Sequence, residues 1–364
     1  MKGSTLVFGR HADSGAHIAA LTVDGRLENL AVDPPNAPKA RAGAVFVGRV
    51  SRSLAQGGAF LDLGAGEIGF LVDPHVDARD LAEGDAVVAQ VLNPAEDGKA
   101  ARLSLSVQIK DRLLVFTPMR SGVNASRQIG DQALRRELTE ALTPFQDEGG
   151  FILRTAAAQA TRDEIVAAAE RLVAEWREAA RVTDPALVRP APHALEIAAT
   201  DWPRPDIVVT DADASTRDLV FADARHRPVD PGQYALEELG VAEALEELFA
   251  SQCALPHGWM VLQRTEALIA IDVNAGDASS RLPANLAAAR EIPRQLRLRG
   301  WGGMVLIDFA GRDAAHRERL EAALRQSAAR DGVKIAGWGP LGLLEATRRR
   351  SALPIETVLR RRAT

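Results

Sequence analysis

The sequence predicts an α+β chain built of several domains. The chain has 364 residues, about two to three times the length of a typical domain. Residues 43–107 hold five short apolar stretches separated by turns, the pattern of a small closed barrel rather than a sandwich. Residues 259–339 alternate strand and helix patterns, which requires a parallel or mixed sheet covered by helices. Composition agrees: 46% hydrophobic and 26% charged residues exclude a wholly disordered, collagen-like or coiled-coil chain.

Along the chain, residues 5–33 alternate apolar runs with turns, and Asp24-Gly25 between two such runs is a hairpin signal. PPNAPKARAG (34–43) reads as a linker or domain entry. The barrel strands are VFVGRV (45–50), GAFLDLG (58–64), GEIGFLV (66–72), DAVVAQVLN (85–93) and ARLSLS (101–106). LLVFTP is a strand, 127–142 has helical spacing and GGFILRTAA (149–157) is a strand. An amphipathic helix over 161–181 places Ile165, Leu172, Val173 and Trp176 on one side, and TDPALVRPAP (183–192) breaks it. A short strand at 206–213 and helical spacing at 234–252 follow. The region 259–277 reads as two strands, 284–300 as a helix, 302–311 as a strand, 314–332 as a helix and 333–339 as a strand. Pro293 is expected to kink the first of these helices or delay its start. The tail ETVLRRRAT is basic and expected to fray.

A net charge of -5 excludes a uniformly basic nucleic-acid coat protein but leaves room for a local basic groove. Cys253 is the single cysteine, so neither an intramolecular disulfide nor a cysteine-based zinc site can form within the chain. That composition fits a reducing compartment. No apolar run approaches the ~20 residues that span a bilayer, and the N-terminus lacks the marks of a signal peptide. A soluble, cytoplasmic protein with no membrane span is expected.

Two predicted strands end in a carboxylate: LIAIDVN (268–274) at Asp272 and MVLIDFAG (304–311) at Asp308. Ligands of open α/β sheets bind outside the carboxyl ends of strands. Two aspartates there, with the Asn274 amide nearby, offer hard oxygen ligands for Mg²⁺ or Mn²⁺. The alternative is that both aspartates are caps or turn formers. On the helix 285–299, Arg290, Arg294 and Arg297 share a face. They either track a phosphate backbone or form a solvated surface.

Several segments resemble the ribonuclease E/G family. IDVN (271–274), NLAAAREIPRQLRLRGWGGMVLIDF (285–309) and LGLLEATRRR (341–350) are similar to its catalytic region. GRVSRSLAQGGAFLDLGAGEIGFL (48–71) resembles its S1 domain, and FILRTAA (151–157) its 5′-end sensor. The resemblance covers nearly the whole chain and is weak at about 185–255. It implies a composite fold in which an S1-type OB barrel is inserted in an RNase H-like region, followed by a DNase I-like α/β catalytic region. The implied domains are 1–38 and 186–240 (RNase H-like), 39–107 (S1), 108–185 (sensor), 241–350 (DNase I-like) and a basic tail at 351–364.

The same resemblance implies Mg²⁺-dependent cleavage of single-stranded RNA in RNA processing or decay, leaving a 5′-phosphate and a 3′-hydroxyl. Asp272 and Asp308 match the metal-binding aspartates, and Asn274 matches the amide that orients the second carboxylate. Phe60, Phe70 and Lys99 match the RNA-holding surface of the S1 domain. The alternative for the two phenylalanines is barrel core. Arg127, Arg154 and Thr155 match the residues that hold a 5′-monophosphate. For Arg154 the alternative is an ordinary surface strand position.

Three departures stand out. Ser126-Arg127-Gln128 lacks one basic residue of the family's SRR-like pair. The metal strand reads Ile307-Asp308-Phe309-Ala310-Gly311-Arg312 where the family has IDFIDM, and Asp313 is the only nearby acid that could replace the missing one. No CPxCxG motif occurs in the fourteen residues after Arg350, so no zinc is expected and a monomer or weak zinc-free homodimer is. A non-catalytic RNA-binding protein that keeps its S1 domain, and a DNA or general phosphodiesterase, are the competing functions.

Overall fold

A computed structural model describes residues 3–54, 57–72, 81–96, 98–211, 221, 224–229, 234–277, 279–311, 314–329 and 331–359. Arg312, Asp313 and most of the basic end of the tail lie outside the described residues. The chain divides into two compact units. One comprises Met1–Asn36, His193–Ala198 and Trp202–Thr364, the other Ala37–Pro192 and Ala199–Asp201.

The first unit contains two sheets. In the smaller, Ser4–Arg10, His17–Val23 and Arg26–Asp33 form an antiparallel meander. Ile207–Thr210 adds parallel to the first strand, and Arg225–Pro228 adds parallel to that. The Asp24-Gly25 hairpin holds: φ is 51° at Asp24 and 80° at Gly25, the two left-handed positions of a type I′ turn. Val7, Ile18 and Val209 pack against Leu236, Val241 and Leu245. The helical stretch at 234–252 is shorter than its spacing predicts. It forms Ala235–Glu238 and Val241–Phe249, separated by Gly240 at φ 67°.

The larger sheet has six strands in the order Gln252–Leu255, Gly258–Arg264, Leu268–Asn274, Gly303–Asp308, Leu344–Arg348, Val333–Trp338. Only Leu268–Asn274 and Gly303–Asp308 pair in parallel. The chain between them contains the helix Leu282–Leu298, as a parallel connection requires. Ile269, Ile271, Val273, Val305 and Ile307 face Ala288, Ile292 and Leu296 of that helix and Leu320 and Leu324 of the helix Arg317–Ala328. Alternation therefore sends Asp272 and Asp308 to the opposite face.

Pro293 neither delays nor ends the helix Leu282–Leu298. A proline removes the N–H that would pair with the carbonyl four residues back, here that of Ala289. The Ser327 hydroxyl, on the neighbouring helix, lies 3.1 Å from this carbonyl and 2.6 Å from the Ala323 carbonyl of its own helix, and its single proton is shared between them. Ser327→Ala is expected to destabilise the protein by about 1 kcal/mol, read as a lower midpoint in urea unfolding. No change in midpoint would show that the carbonyl is satisfied without it.

In the second unit, Val45–Ser53, Ala59–Asp62, Ile68–Leu71, Ala101–Ser104 and Ala86–Asn93 pair in that order, and the last pairs back to the first. The result is the closed five-stranded barrel of S1/OB type, with Phe46, Leu61, Leu71, Val91 and Leu103 inside. The segment expected only to break the preceding helix also forms a strand, Ala186–Arg189, on the outer side of Val45–Val47. Its prolines flank the paired residues rather than interrupt them, so the ladder survives. A four-stranded sheet follows the barrel in the order Val123–Ala125, Gly150–Leu153, Leu114–Thr117, Ile109–Lys110. It packs on the helices Gln132–Ala141 and Arg162–Ala179. Thr161 caps the latter through a reciprocal capping box with Glu164.

Candidate active site

Asp272 and Asp308 are direct register partners on the parallel pair. Neighbouring strands lie about 4.8 Å apart, and paired positions point to the same face. The two carboxylates thus share the carboxyl end of one strand pair. The Asn274 Nδ2 donates to Asp272 Oδ2 at 2.8 Å, which fixes that carboxylate and leaves Oδ1 open to a ligand. Asp272 is exposed and Asp308 half-buried.

The turn after Asp308 is held from the helix side. Asn285 is 3% exposed. Its Nδ2 donates to the Ala310 carbonyl at 3.0 Å, and its Oδ1 accepts from the Ala310 N–H at 2.9 Å. A side-chain amide thereby replaces a strand partner just where Gly303–Asp308 ends. Sequence reading missed Asn285. The available signal was a polar residue on the otherwise apolar face of the first helical turn.

Among the described residues no group of three or more His, Cys, Asp or Glu could hold a metal ion. A pair of carboxylates is still an adequate protein contribution for Mg²⁺, which keeps several waters and takes further oxygens from substrate phosphates. The oxygen-only donor set of Asp272 and Asp308 fits that ion. No described helix is long and apolar enough to cross a membrane.

The arginine face of the helix Leu282–Leu298 does not form a free backbone-tracking stripe. Arg294 donates from Nε to the Leu27 carbonyl at 2.8 Å and from Nη1 to Glu291 at 2.5 Å. Arg297 bonds the Glu28 carbonyl at 2.8 Å and the Asp331 carboxylate. These guanidiniums tie the helix to the strand Arg26–Asp33. Arg299, 2% exposed, is a core residue stacked 5.1 Å from the Trp301 ring. Only Arg290 of the shared face is exposed.

Phe60 and Phe70 lie opposite one another on adjacent barrel strands, with ring centroids 4.9 Å apart. Leu61 and Leu71, one residue on, are buried, so the two rings stand on the outer surface, half-exposed. They are not barrel core. The Arg52 guanidinium sits 4.9 Å from the Phe60 ring centre. Arg102, paired with Phe70 in register, is exposed beside it. Neither arginine was singled out from the sequence, because only strand pairing brings them to the rings. Lys99 is exposed in the turn before Ala101–Ser104.

In the four-stranded region, the Thr155 hydroxyl lies 3.0 Å from that of Ser126 and donates to Gln128 Oε1 at 3.1 Å. Arg127 between them is exposed. Arg154 is engaged elsewhere. Nη1 donates to the Asp111 and Thr200 carbonyls at 2.6 and 3.0 Å, and Nη2 pairs with Asp201 at 2.9 Å. The structure brings Arg127 and Thr155 to one loop surface while Arg154 is held by internal partners.

Cys253 lies in the strand Gln252–Leu255, not in a helix, and packs against the core of the larger sheet. Burial pushes its thiol up to about 11, and the Glu291 carboxylate adds to the rise. A raised pKa means less thiolate at neutral pH. Alkylation by iodoacetamide at pH 8 is expected to be about 100-fold slower than in the unfolded chain, rising as pH approaches 11. Equal rates in the folded and unfolded chain would contradict this burial.

The model of the ribonuclease E/G family matches residues 108–351. Ribonuclease G of Salmonella typhimurium (strain SL1344) is 29% identical over 365 residues, covering 87% of this chain and 74% of the relative. Ribonuclease G of Escherichia coli (strain K12) is 29% identical over 366 residues, with the same coverage of each chain. Ribonuclease E of Haemophilus influenzae is 30% identical over 378 residues, covering 90% of this chain and 40% of that longer relative. The family match spans the parallel strand pair and the barrel-following region alike, and the chain belongs to the ribonuclease E/G family.

Proposed function

We propose that this chain is an endoribonuclease that cuts single-stranded RNA with Mg²⁺ (or Mn²⁺) held by Asp272 and Asp308. The observation that carries the reading is the register pairing of those two carboxylates at the ends of parallel strands. When bound, the ion supplies Lewis acidity that activates water and neutralises phosphoryl charge. Asn274 holds the Asp272 carboxylate in one orientation, and Asn285 holds the turn that presents Asp308. The water oxygen joins phosphorus, the P–O3′ bond breaks, and the 3′-oxygen leaves as a hydroxyl, so the products are a 5′-phosphate and a 3′-hydroxyl. Positioning and charge stabilisation, rather than a protein nucleophile, lower the barrier.

On this reading the outer rings Phe60 and Phe70 stack bases, at about 1–3 kcal/mol each, with Lys99 on the same surface. Arg127 and Thr155 contact a 5′-monophosphate, and Arg154 supports that loop from within. The three-strand meander extended by two parallel strands supports an RNase H-like assignment for residues 1–38 and 186–240. The mixed six-stranded sheet supports a DNase I-like assignment for residues 241–350. The protein acts in the cytoplasm.

The test is incubation of a 5′-monophosphorylated A/U-rich oligoribonucleotide with purified protein and Mg²⁺. Internal cleavage that EDTA abolishes and Mg²⁺ restores is expected. Tight binding without turnover would instead assign a non-catalytic RNA-binding protein, and equal cleavage of DNA of the same sequence a general phosphodiesterase.

A further inference from the structure

The turn that follows Asp308, through Phe309, Ala310 and Gly311, lines a cavity of about 320 Å³ on the helix-covered side of the sheet, together with the loop before one helix and the start of a second. Arg281 and Arg317 both line it. Neither guanidinium has a carboxylate partner among the described residues. Arg294 and Arg297, in contrast, spend theirs on carboxylates and carbonyls.

Arg281 occupies the N-cap of the helix Leu282–Leu298 without a capping bond, whereas Arg317 continues directly from the 3-10 turn Ala314–His316. Cations are unfavourable at the positive end of a helix, and anions are favoured there. No acid stands in the first turn of the helix Leu282–Leu298. Two arginines with no carboxylate partner among the described residues, one of them at that end and both lining one cavity, have the sign of a site for an anion.

Both side chains are also held. The Arg317 guanidinium lies 5.0 Å from the Trp338 ring centre, and Phe309, next to Asp308, packs on the same ring at 5.9 Å. Arg281 lies across Gly311 (φ 62°), where a Cβ would come within 2.3 Å of its Nη1 and 2.7 Å of its Cδ, so a larger residue there would shift the arginine.

We propose that this cavity is a subsite for one backbone phosphate of single-stranded RNA, held by the Arg281 and Arg317 guanidiniums at the turn that follows Asp308. The subsite rests on the RNA reading above and sets where along the strand the cut falls. The guanidinium fork matches phosphate oxygens in geometry and charge.

The test is binding in EDTA of ten-nucleotide oligoribonucleotides, each with a single methylphosphonate linkage, to wild type and to the Arg281→Ala/Arg317→Ala double variant. For wild type, one linkage position is expected to weaken binding fivefold or more. In the double variant that position is expected to cost less than twofold, and the slope of log K against log salt to fall by about 1.4 for two lost contacts. Gly311→Ala, which displaces Arg281, is expected to give an intermediate profile with the fold intact by circular dichroism. The same profile in all three proteins overturns the subsite. So does a flat wild-type profile with inorganic phosphate binding that only the double variant loses, which assigns the pocket to free phosphate. Cleavage with an unaltered profile removes the subsite and leaves the nuclease, whereas a linkage-specific profile without cleavage removes the nuclease and leaves the subsite.

Discussion

Asp308→Asn is expected to lower kcat for RNA cleavage about 10³-fold. Asparagine preserves the shape of the side chain, so folding and RNA affinity should change little. It removes one of the two negative charges that the register pairing of Asp272 with Asp308 brings together. Charge stabilisation by a metal is worth several kcal/mol at the transition state, and about 4 kcal/mol corresponds to three decades in rate. Asp272→Asn should behave alike, since its amide oxygen can still accept from Asn274 Nδ2. The check is single-turnover cleavage at saturating protein. Wild-type rates in both variants would remove these carboxylates from the reaction.

Asn285→Ala is expected to lower kcat about 100-fold and stability by about 2 kcal/mol. The amide makes two hydrogen bonds to the backbone of Ala310. Removing it unpairs a backbone donor and acceptor next to a packed core, each costing about 1–3 kcal/mol when left without water. The turn that follows Asp308 then loses its anchor, and small displacements of a catalytic group cost orders of magnitude in rate. The check pairs urea unfolding with cleavage kinetics and equilibrium RNA binding. A stability loss with unchanged kcat would show that the anchor serves folding alone.

Much of the secondary structure was legible because its causes are local. Alternation marked the barrel strands, a left-handed dipeptide marked the Asp24-Gly25 turn, and the apolar face of 161–181 marked its helix. Those signals extend over a few residues and need no partner. Ala186–Arg189 escaped because an outer strand flanked by prolines carries little alternation, and its pairing partner lies far away in the chain. A late start at Pro293 did not occur, and a nearby hydroxyl, that of Ser327, is thirty-four residues distant in the chain.

The candidate site divides in the same way. The sequence by itself determined that two strands end in aspartate, that an asparagine follows the first by two residues, and that two phenylalanines stand on predicted barrel strands. It also determined the kinship with ribonuclease E/G. Only the tertiary structure decided which groups are available. Register across a parallel pair put Asp272 beside Asp308, and alternation turned Phe60 and Phe70 outward. Ion pairing withdrew Arg154, Arg294 and Arg297 into internal contacts. Arg281 and Arg317 line the cavity at the turn after Asp308. A side chain's type is written in the chain, but whether its charge is spent on the fold or left for a ligand depends on partners that only long-range packing supplies.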